Sequence, residues 1–189
     1  RDDVQYYRSL YNVEQVEILR GPNALLFGRG GTGGILNRVT KKAVVGENFG
    51  SFDFGLDSFG ASDLAADYNV EAGANTAIRF NLHSDALENH RDHYDGDRLG
   101  FNPTMRVNLS SATTLDLSSE YADHERFIDR GVPTMNGEPV EAFDETVFGD
   151  PDINLTTLEA DIFRGSLNHE FSETSKAVFS ITSSEFEKM

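Results

Sequence analysis

Residues 13–42, VEQVEILRGPNALLFGRGGTGGILNRVTKK, decide how the rest of the chain is interpreted. Two runs of β-like composition, Val16–Leu19 and Ile35–Thr40, flank a Gly21-Pro22 turn and a short apolar run at Ala24–Phe27. Near the second run, five of seven consecutive residues are glycine: Gly28, Gly30, Gly31, Gly33 and Gly34. Glycine loses more conformational entropy on folding than other residues. This density therefore indicates a backbone that needs positive φ or packing too close for a Cβ.

The glycine cluster also matches a nucleotide-binding pattern. Residues Gly28–Gly33 read GRGGTG, which fits G-x-G-x-x-G. In a dinucleotide-binding fold this motif opens a helix inside a βαβ unit, because the helix N-terminus receives the pyrophosphate. The following residues, Ile35–Thr40, are β-branched and alternating, which predicts a strand. We therefore interpret the glycines as structural packing and disfavour an NAD-type enzyme.

The composition restricts the classes of partner. The 189 residues include 16 Lys and Arg against 32 Asp and Glu, a net charge of −16, which argues against a nucleic acid partner. Cysteine is absent, so disulfides, thiolate-bound metals and thiol catalysis are excluded. No apolar run approaches the roughly 18 residues of a membrane helix. A membrane β-barrel is not excluded, because its strands alternate between apolar and polar residues and contain no long apolar run.

Downstream of Lys42 the sequence alternates between apolar and polar residues. In Leu99–Leu109 the odd positions are apolar or proline, and the even positions are polar or glycine. The same period of two recurs in six more stretches: Phe52–Leu56, Leu64–Val70, Ile78–His83, Leu115–Tyr121, Phe163–Phe171 and Ala177–Ile181. A period of two is the side-chain repeat of a β-strand, so the sequence predicts about seven strands, several of them long.

The connections between these strands fall into two classes. Short polar turns at Gly73–Asn75, Ser110–Ala112 and Ser172–Thr174 alternate with more variable links at Ser58–Ala61, Asn89–Asp97 and Ile128–Asn154. Short turns at one end and long loops at the other are typical of outer-membrane β-barrels. The polar face is also rich in charge, as expected if it lines a wet interior or packs on a polar domain: Arg79, Asp85, Arg98, Arg106, Asp116 and Glu120.

Seven strands leave two open edges, and unpaired backbone groups cannot face hydrocarbon. The sequence begins at Arg1 without a methionine and ends at EFEKM, within a predicted strand. We therefore expect a piece of a larger closed barrel, with further strands beyond Met189.

With these features in view, the chain resembles the TonB-dependent outer-membrane receptors, and most closely their ferric-siderophore branch. Residues 13–42 resemble the last part of the N-terminal plug domain of that family. The segments RDDVQYYRSLYN at 1–12, DRGVP at 129–133 and FGDP at 148–151 resemble the siderophore receptors. The resemblance implies an all-β chain, with the C-terminal part of a plug domain at residues 1–43. Residues 44–189 would be the first strands of a transmembrane barrel of about 22 strands.

The family resemblance also implies a function. It implies transport without covalent chemistry, so we predict that the chain is no enzyme and needs no cofactor. The parent protein would take up ferric siderophores by gated transport, energised by the TonB complex through a segment absent from this sequence, with outer-membrane lipid around the barrel of a Gram-negative bacterium. Arg20 and Arg38 would form ion pairs between plug and barrel. Five residues would lie near a plug apex and hence near the substrate: Arg1, Asp2, Asp3, Tyr6 and Tyr7.

Other interpretations stay open at the level of sequence. The parent protein could be a receptor for another bulky nutrient, such as a cobalamin or a glycan, or the chain could be a soluble β-rich binding module. The segment His90–Asp97 places two histidines and three carboxylates within eight residues, a set that suits several divalent ions. Its spacing matches no defined metal loop, so we predict a hydrated loop and no metal site there.

Overall fold

The structure, a computed structural model, describes residues 9–21 and 33–189. The chain divides into two compact units, Arg1–Lys42 and Ala43–Met189. In the described ranges, no helix is both long enough and apolar enough to span a membrane.

The described part of the first unit is a pair of antiparallel strands, β1 (Val13–Arg20) and β2 (Gly34–Thr40). Both strands predicted around the glycine cluster are confirmed. Gly34 shows the backbone demand of that cluster directly, because its φ is +144° and a Cβ there would lie 2.6 Å from the carbonyl oxygen of Leu19. A strand also follows the G-x-G-x-x-G pattern, so the helix that a dinucleotide site requires does not form at β2.

The second unit is built on one seven-stranded antiparallel sheet in the order β11-β10-β7-β6-β5-β4-β3. Its strands are long: β3 (Phe49–Leu56), β4 (Ser62–Gly73), β5 (Thr76–Glu88), β6 (Asp95–Ser110), β7 (Thr113–Phe127), β10 (Leu155–Ser172) and β11 (Ser175–Lys188). A short hairpin, β8 (Thr134–Met135) and β9 (Glu138–Pro139), lies within one connection. The prediction of an all-β chain with about seven antiparallel strands is confirmed.

The connections separate by length, as predicted. Residues 74–75, 111–112 and 173–174 form tight turns at one end of the sheet, here called the turn end. Residues 57–61, 89–94 and 128–154 connect the strands at the opposite end, here called the link end. The predicted link Asn89–Asp97 is too long, because β6 already begins at Asp95 and pairs with β5 from there.

Strand alternation gives the sheet two chemically different faces. On β5 the odd positions Ala77 to Asp85 are buried, and the intervening positions Phe80 and Leu82 are exposed. The registers carry this division across the sheet, so one mainly polar face and one mainly apolar face result, although β10 and β11 also place a few apolar side chains on the polar face. The apolar face leaves large side chains in the open, with Phe52 65% and Phe179 68% exposed. An apolar surface of this extent indicates an apolar partner or medium.

Candidate functional site

The polar face of the sheet is organised by ion pairs between neighbouring strands. Arg79 on β5 donates from Nε and Nη2 to the two carboxylate oxygens of Asp67 on β4, both at 2.7 Å. The guanidinium carbon also lies 5.1 Å from the centre of the Phe49 ring on β3. Both charged side chains are nearly inaccessible, and a fork of two parallel bonds is the strong geometry for an arginine and a carboxylate.

Three further charge groups follow the same rule along the sheet. Asp85 accepts from Arg98 Nη2 on β6 at 2.8 Å, and also from His83 Nε2 on its own strand at 2.8 Å. Arg106 binds Asp116 at 2.7 Å, and Arg164 binds Glu120 at 3.0 Å. The charges predicted on this face therefore have partners of opposite sign, and their fields largely cancel at a distance.

Two asparagines occupy the centre of the polar face. Asn81 and Asn102 are directly paired in the β5–β6 register and are 0% and 1% exposed. Asn102 Nδ2 donates to the carbonyl oxygen of Ser119 at 2.5 Å, whereas the Asn81 amide has no hydrogen-bond partner within the described residues. Sequence reasoning missed this pair, because an asparagine at a polar position of an alternating strand carries no distinguishing signal.

Asn69 ties the start of the second unit to the sheet. Its side-chain oxygen accepts from the Val44 amide at 2.9 Å, and its Nδ2 donates to the carbonyl oxygens of Val44 at 2.9 Å and Glu47 at 2.7 Å. Asn69 is 0% exposed, so all of these bonds are shielded from water. The polar face therefore has a fixed edge near β3 and β4.

At the link end, a buried arginine joins two connections. Arg91, in the 89–94 link, contacts Asp129 through Nε at 2.5 Å and Nη2 at 3.1 Å. Its Nη1 donates to the carbonyl oxygen of Asp144 and its Nη2 to that of Thr146, each at 2.7 Å. The Asp92 amide adds a bond to the Glu145 carbonyl oxygen at 2.8 Å.

The 128–154 link has an internal structure of its own. Its base is closed by the bond from the Ile128 amide to the Asn154 carbonyl oxygen at 2.7 Å. A turn at Asn136-Gly137, both with positive φ, connects β8 and β9, and one turn of 3-10 helix follows at Glu141–Phe143. The rings of Phe143 and Phe148 meet edge to face with centres 5.4 Å apart. This link is a folded segment with defined geometry.

A cavity of about 280 Å³ lies beside this link. Its lining combines carboxylates, one histidine, one arginine and two large apolar side chains: His93, Asp95, Gly96, Asp97, Glu125, Arg126, Phe127, Pro151, Asp152 and Leu155. Within residues 9–21 and 33–189, no group of three or more His, Asp or Glu side chains is arranged to hold a metal ion.

The residues predicted to contact substrate, Arg1, Asp2, Asp3, Tyr6 and Tyr7, lie outside the described residues, as does most of the glycine cluster. Arg20 is exposed at the end of β1. Arg38 on β2 donates from Nη2 to the Ser9 carbonyl oxygen, a contact within the first unit. The proposed roles of all seven residues stay predictions.

Comparison with known proteins gives the following picture. No protein-family model matches the chain. The probable TonB-dependent receptor BfrD of Bordetella pertussis is 32% identical over 144 residues, covering 74% of this chain and 19% of the relative. The metal-pseudopaline receptor CntO of Pseudomonas aeruginosa is 29% identical over 163 residues, covering 85% of this chain and 23% of the relative.

Solved structures share the fold across the chain. The siderophore receptor PiuA from Acinetobacter baumannii superposes with a TM-score of 0.89 at 22% identity, covering 100% of this chain and 28% of that chain. The ferric-catecholate import receptor Fiu from E. coli K12, in its closed form, gives a TM-score of 0.87 at 21% identity. The match covers 100% of this chain and 28% of that chain. The chain spans about a fifth of the length of the curated relatives it matches.

Proposed function

Because this chain belongs to the TonB-dependent receptors, we propose that the whole protein takes up ferric-siderophore complexes across the outer membrane of a Gram-negative bacterium. The observation that carries this proposal is the similarity in sequence and fold to receptors named for siderophores or metal chelates. These three relatives come from Pseudomonas, Acinetobacter and Escherichia, and the Bordetella relative is named as a probable TonB-dependent receptor.

The dimensions of the apolar face support an outer-membrane location. On β6 the apolar-face residues run from Leu99 to Leu109 before the strand ends. At about 3.4 Å per residue these positions span roughly 34 Å along the strand. A strand tilted by about 45° would cover roughly 24 Å of membrane thickness, close to the apolar band of about 25 Å on outer-membrane barrels.

The position of acidic residues on the apolar face supports the same tilt. Counting from the turn end, the first carboxylate on this face is Glu88 in β5, Asp97 in β6, Asp123 in β7, Asp161 in β10 and Glu185 in β11. By register this boundary moves about six residues, roughly 20 Å along the strands, over four strand spacings of roughly 19 Å. A level membrane surface that meets the strands along this line requires a tilt of about 45°.

Short turns face the periplasm and long loops face the outside in outer-membrane barrels. On this basis the link end, with the Arg91 contacts, faces the medium, and the polar face lines the interior. We propose that the first unit is the end of the plug domain and the second unit the start of the barrel. The proposed boundary, after residue 43, lies one residue from the division between the two compact units, which falls after Lys42. TonB and outer-membrane lipid are the partners proposed for the whole protein.

Growth tests distinguish the proposed substrate from the alternatives. A strain without the parent gene, made to depend on one ferric chelate at a time, should lose growth on at least one chelate and recover when the gene is returned. Unimpaired growth on every iron chelate tried would contradict the proposal. A defect confined to cobalamin or to a glycan would favour those nutrients, although none of the relatives named above carries either in its name.

A further inference from the structure

Arg91 is placed to control the shape of the 128–154 link. Its side chain is 6% exposed, and four contacts connect it to the start of that link at Asp129 and to its middle at Asp144 and Thr146. The acceptors lie 38 to 55 residues away along the sequence. The guanidinium of Arg91 therefore holds two distant parts of the 128–154 link against the 89–94 link.

The segment that Arg91 holds carries an exposed aromatic pair. Phe143 and Phe148 lie on either side of the two carbonyl groups that accept from the guanidinium. Their rings touch each other, yet they remain 40% and 50% exposed. Aromatic rings held rigidly at a surface offer large contact area at a small cost in conformational entropy.

The surroundings of this pair restrict what it can bind. The links at 57–61, 89–94 and 128–154 contain nine carboxylates against two arginines. One of these arginines, Arg91, is already committed to Asp129. Glu141, Asp144 and Glu145 adjoin the aromatic pair in sequence, so a strongly anionic ligand would meet repulsion there.

We propose that Phe143 and Phe148 form a contact surface for the apolar part of an iron chelate of zero or positive net charge. Arg91 is the positioning residue for this surface. The inference rests on the proposed function and adds to it a binding site and a class of ligand. A lysine could not replace Arg91, because a single ammonium group cannot reproduce the planar fork that reaches a carboxylate and two carbonyl groups at once.

The test uses the full-length receptor purified in detergent, with three ferric complexes as probes: cationic ferrioxamine B, neutral ferrichrome and the trianionic ferric enterobactin. The variants are Arg91→Lys, the double variant Phe143→Ala/Phe148→Ala, and Arg130→Ala as a control. Arg130 is an exposed arginine in the 128–154 link, so its loss removes a positive charge from the link end without breaking buried contacts. Equilibrium affinity and hydrogen exchange of the Asp92 amide are measured for each.

The wild type should bind the cationic or the neutral complex more tightly than the trianionic one. Arg91→Lys should weaken that binding by roughly tenfold and speed exchange of the Asp92 amide, because the bond to Glu145 loses its support. The double phenylalanine variant should weaken binding by roughly tenfold with exchange unchanged. Arg130→Ala should leave both readouts within about twofold.

Each contrary result has a separate meaning. Faster exchange in Arg91→Lys with unchanged affinity would show that Arg91 is structural only and would overturn its positioning role. Unchanged affinity in the double phenylalanine variant, or preference for the trianionic complex, would overturn the contact surface. A wild type that binds no ferric chelate at all would overturn the proposed function itself, and the inference with it.

Discussion

At the scale of single residues, the sequence predicts ion pairs whose partners lie on adjacent strands, and it does not predict contacts between residues far apart along the chain. Arg79, Arg98 and Arg106 were expected on one charged face, and each has a carboxylate partner on a neighbouring strand. Arg91 was included only in a segment interpreted as a hydrated loop. Its partners become neighbours only after the sheet has brought two connections to the same end.

The Arg79–Asp67 pair should matter most when only one partner is removed. Arg79→Ala leaves a buried carboxylate without its bidentate partner and should lower the stability of the full-length receptor by about 3 kcal/mol. Arg79→Ala/Asp67→Ala should cost less than the two single changes together. Thermal or urea unfolding in detergent measures the cycle, and strictly additive losses would show that the two side chains do not interact.

Gly96 and Gly73 make a matched pair of glycine tests. A Cβ at Gly96 would lie 2.5 Å from the Glu125 carbonyl oxygen and 2.7 Å from the Arg126 Cα, whereas one at Gly73 would meet nothing within 4 Å. Gly96→Ala should therefore destabilise the receptor by about 1–3 kcal/mol through backbone displacement. Gly73→Ala should be close to neutral. Equal unfolding midpoints for both variants would refute the close approach at β6 and β7.

At the scale of elements, alternation predicts the existence of every long strand but not its ends. The pattern at Leu99–Leu109 is clear because one face is apolar, yet β6 extends to Asp95. Asp95 and Asp97 stand on the apolar face, where their charge breaks the pattern, while backbone pairing with β5 continues. The hydrogen-bonded ladder depends on the backbone, so it continues past the residues that carry the apolar signal.

Depth in the membrane should set the cost of a charge on the apolar face. Leu82 lies midway along the apolar residues of β5, and Glu88 lies at the acidic boundary. Leu82→Arg should lower the stability in liposomes by about 2–4 kcal/mol, against about 0–1 kcal/mol for Glu88→Arg. Equal costs at the two positions, measured by folding into lipid vesicles, would contradict the proposed membrane boundary.

At the scale of the whole molecule, the similarity to known receptors and the two-faced sheet agree on one architecture. Sequence predicted this class because the glycine cluster, the alternating strands and the segregated connections occur together in one chain. It could not identify the ligand, because the contacts that shape the link end, such as those of Arg91, join residues far apart in the sequence. The excess of carboxylates over arginines in the links at 57–61, 89–94 and 128–154 nevertheless constrains how a charged ligand approaches them.

Ionic strength should therefore change association rates in opposite directions for ligands of opposite charge. The link end carries an excess of carboxylates, so association of a cationic ferric chelate should slow as salt is added. Association of a trianionic chelate should speed up, because salt screens its repulsion from these carboxylates. Stopped-flow binding to the full-length receptor at low and at physiological salt measures both rates. An association rate for the cationic complex that is independent of salt would show that these carboxylates do not attract it.

The most direct test of the receptor account is uptake of radioactive iron by intact cells. Cells with the parent gene should accumulate iron from at least one ferric chelate, and deletion of the gene should abolish that accumulation. Restoring the gene should restore it. If cells with and without the gene accumulate the same amount of iron from every chelate tried, the proposed receptor function is contradicted.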